Sequence, residues 1–265
     1  MSTRLAILAD VHVDGPGRRA DFLADAVKRI RSLSCDSVVL LGDTVELGLA
    51  EEYAIVRLVI SPLLEITRPM VGNHEVQKGS IADFRKAWNV ESATADLIEN
   101  LPVMRFNTAI AHQPQDEYFG TVGVEQLKLL SAVLDARRES PAVVFTHHPL
   151  ANSVRRSDEK NLMIDNSADV QRLLDRHGAP SLVLSGHTHA QSVFRSSRLT
   201  AIGCPALGYW PHAFMVLEIA RTGGRFETHR LDVAPADSPD PEVSDPAHRG
   251  MNEGTAADWA GEFTF

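Results

Sequence analysis

Five short clusters of histidine, aspartate and asparagine stand in the first 190 residues, each directly after a short apolar run. They are Asp10-Val11-His12, Gly42-Asp43-Thr44-Val45-Glu46, Gly72-Asn73-His74-Glu75, Thr146-His147-His148 and Gly186-His187-Thr188-His189. In an extended segment, residues two apart point to the same side, so Asp-x-His and His-x-His can each direct two ligands at one metal cluster. Imidazole and carboxylate donors with one amide and no sulfur suit Fe, Mn, Zn, Co or Ni better than Ca or Mg.

The apolar runs before the clusters predict buried strands. These are Leu5–Ala9, Val38–Leu41, Pro69–Val71, Ala142–Phe145 and Leu182–Leu184. Helical periodicity between them predicts helices over Arg19–Leu33 and Glu51–Leu64, a third within Gly120–Arg138, and a fourth from Ser167 to a stop at Gly178. Such alternation predicts a mainly parallel sheet, whose strands end at one edge where ligands bind. We therefore expect the five clusters to converge there.

Beyond residue 190 the pattern changes. The segments Gln191–Ile202, Phe214–Ile219 and Arg225–Leu231 predict strands, the last two joined by a turn at Gly223-Gly224, and we expect an antiparallel part that completes a second sheet. After Asp232 the chain is rich in proline and in acidic residues. We predict one domain over residues 1–232 and a Pro-rich acidic C-terminal tail over 233–265, either flexible or packed on the domain surface.

Composition limits the function classes. The 265 residues carry a net charge of −9, and the tail holds seven acids against one base, so it contributes −6 of that charge. An acidic balance argues against a nucleic-acid polymer as partner, because such a partner needs a basic face. Cys35 and Cys204 stand far apart, which argues against a disulfide framework and favours a reducing cytoplasm. We expect neither a signal peptide nor a membrane span, because each apolar run is too short.

On these five clusters the sequence resembles the calcineurin-like metallophosphoesterases. The pattern of that family is D-x-H, G-D-x-x-[DE], G-N-H-[DE], a lone or double His after a strand, and G-H-x-H, and all five blocks occur in order from Asp10 to His189. Within the family, Glu51-Glu52-Tyr53, Val71–Glu75 and His147-His148-Pro149 look most like the bacterial cyclic-nucleotide phosphodiesterase branch. The resemblance implies an α/β fold with a two-sheet β-sandwich core flanked by helices, in four layers (α/β/β/α).

The resemblance also implies a site with two divalent or trivalent metal ions. One ion would be held by Asp10, His12 and His189, the other by Asn73, His147 and His187, and Asp43 would bridge them. His74 would not bind metal but would face the scissile phosphate, as the catalytic residue that stabilises charge or protonates the leaving oxygen. A hydroxide that bridges the metals would attack phosphorus in line.

Further residues are candidates for supporting roles. We expect His148 to orient a ligand or the phosphate, and Glu46 and Glu75 to hold their loops or hydrogen-bond a ligand. Arg155 and Arg156 could bind a substrate phosphate or could be solvated surface residues. Tyr209 and His212 could line the mouth of the cleft or pack in the core.

The sequence thus predicts a dinuclear metal-dependent phosphoester hydrolase. Its partner would be a small phosphorylated substrate, a phosphodiester or a phosphomonoester such as a nucleotide. The alternative is a catalytically silent scaffold that keeps the fold for protein interaction, and a nuclease for long DNA would lack a basic groove. The motifs leave the metal identity, the substrate and the oligomeric state open.

Overall fold

The computed structural model describes residues 2–98, 100–114 and 117–265, and twelve strands and seven α-helices lie within them. The strands are Thr3–Leu8 (β1), Ser37–Leu40 (β2), Thr67–Pro69 (β3), Thr94–Ile98 (β4), Leu101–Phe106 (β5), Ala142–Thr146 (β6), Ser181–Ser185 (β7), Ser192–Arg195 (β8), Leu199–Gly203 (β9), Ala213–Ala220 (β10), Gly223–Arg230 (β11) and Ala260–Thr264 (β12). The helices are Arg18–Ser32 (α1), Ala50–Val59 (α2), Ile81–Trp88 (α3), Val124–Ala136 (α4), Ser167–His177 (α5), Pro246–Glu253 (α6) and Ala256–Trp259 (α7).

The strands form two six-stranded sheets. The first has the order β12-β11-β10-β1-β2-β3 and the second β4-β5-β6-β7-β9-β8. Strands β1, β2 and β3 run parallel, as do β5, β6, β7 and β9, while β10, β11 and β12 pair antiparallel beside β1. The predicted two-sheet α/β fold flanked by helices is confirmed. The parallel strands are divided between both sheets, and the antiparallel strands after residue 212 extend the first sheet rather than the second.

Strand β1 shows how the layers are built. Successive side chains of a strand point to opposite faces, so Leu5 and Ile7 pack between the two sheets while Ala6 and Leu8 pack under α1, α2 and α3. A third apolar cluster joins α4 and α5 to the outer face of the second sheet. The order of the layers is therefore helix, sheet, sheet, helix, with the main core between the sheets.

The helix predicted over Arg19–Leu33 is α1, displaced by a single residue at each end. Helix α2 ends at Val59, earlier than predicted, and a 3₁₀ turn covers Ser61–Ile66. Pro62 causes this change, because proline lacks the N–H group and its ring clashes with the preceding turn.

The single strand predicted over Gln191–Ile202 is wrong. The structure has β8 and β9 there, an antiparallel pair in the second sheet. The predicted turn at Gly223-Gly224 is also displaced, since both glycines lie in β11 and pair with β10. A Cβ atom on Gly224 would stand 2.1 Å from the carbonyl oxygen of Glu218, so these glycines permit close approach between strands.

The segment predicted as a tail contributes to the fold at its end. Strand β12 pairs with β11 as the edge strand of the first sheet, and Phe263 is buried in the core between the sheets. In the Tyr209–His212 loop, the backbone N–H of Trp210 donates to Asp240, and its indole N–H donates to Glu253 at the end of α6. Sequence periodicity missed β12 because its burial pattern has a single fully buried residue. The boundary at residue 232 remains a prediction.

Two further observations concern the cysteines and the length of the helices. Cys35 and Cys204 are both free. Among the helices of the described residues, none is long and apolar enough to cross a membrane.

Candidate metal centre

The five polar clusters lie together at the carboxyl ends of parallel strands. Strands β1, β2 and β3 of the first sheet lead to Asp10, Asp43 and Asn73, while β6 and β7 of the second sheet lead to His147 and His187. The backbone N–H of His187 donates to both carboxylate oxygens of Asp10, at 3.0 and 3.1 Å, which ties the two sheets together at this edge. The convergence predicted from the sequence is present.

The backbone at these positions is unusual. Five of the seven predicted ligands have positive φ angles: Asp10 (52°), His12 (54°), Asp43 (48°), His187 (66°) and His189 (54°). Residues other than glycine adopt this left-handed conformation uncommonly, although Asp and His tolerate it better than most. Such conformations cluster where the backbone is bent to aim side chains at a functional site.

Two glycines make room for the cluster. A Cβ atom on Gly72 would stand 2.2 Å from Oδ1 of Asp43, and one on Gly42 would stand 2.5 Å from Nδ1 of His147. Real Cβ contacts are not this short, so any other residue would displace these side chains. The glycines before Asp43 and Asn73 therefore permit the close approach of these side chains.

Asp43 is the centre of the arrangement. Its Oδ1 atom accepts a hydrogen bond from the backbone N–H of His74 at 2.8 Å, which fixes the carboxylate. Its Oδ2 atom lies 3.1 Å from Nε2 of His147, 3.8 Å from Nε2 of His12 and 4.0 Å from Nε2 of His74. One oxygen thus faces imidazoles from three separate loops.

The first group of donors lies on the side of β6. His147 donates from Nδ1 to the Leu41 carbonyl at 3.0 Å, so its Nε2 atom is directed at Asp43 and at Oδ1 of Asn73, 3.2 Å away. His187 stands beside it, with the two ring centroids 5.1 Å apart. His147 and His187 thus supply nitrogen donors, and Asn73 an oxygen donor, from three loops that meet beside Asp43.

The second group consists of Asp10, His12 and His189. Their ligand atoms all lie within 4.8 Å of one another, and Nε2 of His189 is 3.5 Å from Oδ1 of Asp10. Asp10, Asp43 and His147 satisfy the same distance criterion, so the two groups are contiguous. The residues can hold two neighbouring cations with Asp43 between them.

Unpartnered nitrogen atoms support this fit. The Nε2 atoms of His12 and His187 are buried and have no hydrogen-bond partner among the described residues. A buried polar atom without a partner is costly, and native proteins rarely leave one. Cations bound among these donors would satisfy both nitrogens, and nitrogen and oxygen donors without sulfur match Fe, Mn, Zn, Co or Ni.

The electrostatics of the cluster match cation binding. Burial alone would raise the pKa of Asp43, but His147 and His74 hold that pKa well below its usual range. Burial opposes charge on His147 too, yet Asp43 raises its pKa to about 9. Burial lowers the pKa of His12 to about 4, and burial and the neighbouring histidines lower that of His187 well below its usual value. The cluster is therefore a carboxylate held ionised among imidazoles, two of which are neutral bases.

His74 differs from the other imidazoles. Its Nδ1 atom donates to the carbonyl of Glu46 at 2.7 Å, which leaves Nε2 on the side of Asp43, and the side chain is 17% exposed. Although burial opposes it, Asp43 raises the pKa of His74 above the usual value. A partly exposed imidazole that favours its cationic form can donate a proton or stabilise negative charge.

The two glutamates accept hydrogen bonds from the predicted ligands and from their loops. Glu46 accepts from Nδ1 of His12 at 3.0 Å. Glu75 is fully buried and accepts three backbone N–H bonds, from Asp43, Thr44 and Gly72, at 2.7 to 2.9 Å. Neither carboxylate lies among the donors around Asp43, although Glu46 forms a cluster of its own with His12 and His74.

His148 lies behind His147 and His187. Its Nδ1 atom is 2.8 Å from Oγ1 of Thr108, and its ring centroid is 4.2 Å from that of His187. Its Nε2 atom is buried without a partner among the described residues, and His148 forms a possible metal group with His147 and His187. The ring therefore packs against His187, and the role of His148 in orienting a ligand or the phosphate remains a prediction.

The two residues expected at the cleft mouth have different surroundings. Tyr209 belongs to the site, since its ring stacks on His189 with centroids 4.4 Å apart and meets His12 edge-on at 5.0 Å. His212 does not. It is buried, and its ring nitrogens are bound to the Leu207 carbonyl and to Ser238. His212 packs in the core, which was the second of the two expectations.

The two arginines after His148 are turned to other partners. Arg155 points towards Asp258 in the C-terminal segment, at 4.0 Å. Arg156 pairs with Glu159 at 3.0 Å and reaches the Thr188 carbonyl at 3.4 Å, so it braces the loop between His187 and His189.

Sequence reasoning missed two residues of the site. The sequence pattern places Arg19 in a predicted helix and gives it no further role, yet its guanidinium donates to Glu46 at 3.1 Å. A basic residue in the first turn of a helix opposes the helix dipole, and that is the signal that could have drawn attention to it. Thr108, the partner of His148, carries no such signal, because the contact joins residues forty positions apart.

The chain is similar to several known proteins. Residues 3–191 match the family model described as calcineurin-like phosphoesterase. A Bos taurus protein named transmembrane protein with metallophosphoesterase domain is 23% identical over 210 residues, which are 73% of this chain and 41% of the bovine protein. The chain thus spans less than half of that relative.

Two further proteins are similar over most of their own length. A probable cyclic nucleotide phosphodiesterase of Xenorhabdus bovienii is 21% identical over 212 residues, covering 77% of this chain and 82% of the relative. The crystal structure of a dimetal phosphatase from Danio rerio superposes with a TM-score of 0.71 at 15% identity, covering 86% of this chain and 96% of that one. The latter likeness concerns the fold.

Proposed function

The chain belongs to the calcineurin-like phosphoesterase family, and we propose that it is a metal-dependent enzyme that hydrolyses a small phosphodiester or phosphomonoester, such as a nucleotide, at a dinuclear centre around Asp43. The observation that carries the proposal is the position of Asp43 Oδ2 within 4.0 Å of imidazole nitrogens from three loops. One carboxylate oxygen in that position is suited to join two cations.

Each ion has its own donors in this proposal. Asp10, His12 and His189 hold one ion, Asn73, His147 and His187 hold the other, and Asp43 bridges. The contiguous donor groups and the unpartnered nitrogens of His12 and His187 support the assignment. Fe, Mn, Zn, Co and Ni all accept this donor set, so the native pair is one of these or a mixture.

When bound, two such cations supply electrophilic activation of the phosphoester and a hydroxide nucleophile near neutral pH. The remaining roles belong to side chains of the protein. His74 is held by the Glu46 carbonyl, so that its Nε2 atom stays on the substrate side, where it stabilises developing charge and protonates the leaving oxygen. Glu46 fixes the orientation of His12, and Glu75 fixes the loop that carries Asp43.

The substrate class is proposed on two grounds. The relative from Xenorhabdus bovienii, whose name reads probable cyclic nucleotide phosphodiesterase, is matched over most of its length, which favours a phosphodiester. The net charge of −9 disfavours a long polyanion, since binding one depends on a basic face.

A catalytically silent scaffold is the competing function. A scaffold has no need of a complete donor set, whereas all seven proposed ligands and His74 occupy their positions in this chain. Completeness therefore favours the enzyme.

The test is a substrate panel with added metal. We expect the purified chain to hydrolyse an aryl phosphodiester or an aryl phosphomonoester with Mn²⁺, Co²⁺ or Zn²⁺, and Asp43→Ala to abolish that activity. Asp169→Ala, an exposed carboxylate paired with Arg172, is the matched control and should be fully active. No hydrolysis of a broad panel by a metal-loaded chain would instead favour the scaffold.

A further inference from the structure

Arg19 has surroundings that its place in the sequence does not explain. It stands in the first turn of α1, where a cation opposes the helix dipole, and its side chain is only 12% exposed. A buried guanidinium in an unfavourable helix position needs compensating partners. Its partners all lie on one side of the candidate metal centre.

The first partner is Glu46. The Nη1 atom of Arg19 donates to Oε2 of Glu46 at 3.1 Å, and the same oxygen accepts from Nδ1 of His12 at 3.0 Å. The carboxylate is therefore held between a cation and an imidazole. With Nδ1 of His12 as the donor, its Nε2 atom keeps a free lone pair, and Nε2 is the atom that faces Asp43.

The second partner is the backbone of the ligand loop. Nη1 of Arg19 also donates to the carbonyl of His12 at 3.2 Å and to Asp14 at 3.4 Å. His12 has a φ of 54°, so this bond helps to hold the loop in its left-handed conformation.

The third partner is Tyr209. The guanidinium carbon of Arg19 lies 4.9 Å from the centroid of the Tyr209 ring, and that ring stacks on His189. Arg19 thus contacts the supports of both His12 and His189, the two imidazoles proposed for the same ion.

We propose that Arg19 is a positioning residue for the metal position formed by Asp10, His12 and His189. It acts through Glu46 and Tyr209 and leaves the other metal position unaffected. The inference rests on the proposed function only for the existence of the metal centre. The competing role is an anchor for the substrate phosphate. In that case the loss of Arg19 would raise KM and leave metal binding unchanged.

The test uses the full chain loaded with Co²⁺ and titrated with a chelator, so that the two ions are released in separate steps. Arg19→Gln should weaken one of the two steps by about 10–100-fold and leave the other within about twofold. Arg19→Lys should weaken the same step less, because an ammonium group keeps the charge but not the planar guanidinium that lies over Tyr209. The control Arg18→Gln removes an exposed neighbour paired with Asp237 and should match the unaltered chain.

A double-mutant cycle completes the test. Glu46→Gln should weaken the same step, and the loss in the double variant should be smaller than the sum of the two single losses, because Arg19 acts in part through Glu46. Additive losses, equal weakening of both steps, or normal metal release with a raised KM would overturn the inference. If the chain binds two Co²⁺ ions yet hydrolyses no phosphoester, the proposed function fails while the role of Arg19 stands.

Discussion

The Nε2 atom of His147 lies 3.1 Å from Oδ2 of Asp43, while the opposite ring nitrogen of His147 donates to a backbone carbonyl at 3.0 Å. Because the proton on Nδ1 is engaged by that carbonyl, the contact with Asp43 requires a second proton or a cation between the two atoms. Although burial opposes it, Asp43 raises the pKa of His147 to about 9, so the carboxylate favours positive charge at this contact.

Replacement of His74 should separate chemistry from metal binding. His74→Asn removes a group that stabilises charge but is not a proposed ligand, so we expect kcat to fall by about 10²–10⁴-fold with metal content unchanged. Steady-state kinetics and elemental analysis on one preparation measure both. His177→Asn, at the far end of α5, should leave kcat unaltered. Loss of metal in His74→Asn would show that His74 is a ligand.

Glu75 should be required for stability. A glutamine in its place offers an amide NH₂ where a carboxylate oxygen accepts backbone N–H groups, so at least one of three buried donors loses its partner. We expect Glu75→Gln to lower the free energy of unfolding by about 1.5–3 kcal/mol. Urea denaturation measures it. The exposed pair of Glu125 with Lys128 supplies the control, since Glu125→Gln should change stability by about 0.5 kcal/mol or less. Equal effects of the two variants would refute the role of Glu75.

Gly72 should tolerate no side chain. The Cβ of Gly72→Ala would meet Asp43 at 2.2 Å, so we expect the carboxylate to move and metal affinity to fall by at least about 10-fold. Gly250→Ala is the matched control, because nothing lies within 4 Å of its added Cβ in α6, and it should stabilise the chain by about 0.5–1 kcal/mol. Unchanged metal affinity in Gly72→Ala would mean that the turn can relax without moving Asp43.

The last strand should behave as core and not as tail. Phe263 is 6% exposed, so Phe263→Ala should lower the free energy of unfolding by about 3–5 kcal/mol. Phe194, on β8, is 42% exposed, and Phe194→Ala should cost much less. Thermal unfolding of both variants compares them directly. If both variants lose a similarly small free energy of unfolding, residues 260–264 are a surface tail and not part of the core.

The sequence indicated where the candidate metal centre lies because each proposed ligand stands within a few residues of the end of a strand. An apolar run and the polar residues behind it are local patterns, and the geometry of parallel sheets brings their ends together. Asp10 and His187 are 177 residues apart and follow strands of different sheets, so their convergence also depends on the packing of one sheet against the other.

The supporting residues could not be predicted in the same way. The contact of Arg19 with Glu46 and that of Thr108 with His148 depend on side-chain packing across distant loops. Strand β12 was missed for a similar reason, since its order comes from pairing with β11 and from one phenylalanine rather than from a periodic pattern. Pro62 shows the opposite case, in which a local signal ended a helix that periodicity alone would have extended.

The number of metal ions bound per chain shows whether Asp43 joins two of them. Equilibrium dialysis against Mn²⁺ followed by elemental analysis should give two ions for the unaltered chain. Asp43→Asn, which weakens the proposed bridge between them, should bind fewer than one at the same free Mn²⁺ concentration. If Asp43→Asn binds two ions as tightly as the unaltered chain does, Asp43 does not bridge them and the proposed dinuclear centre around Asp43 is wrong.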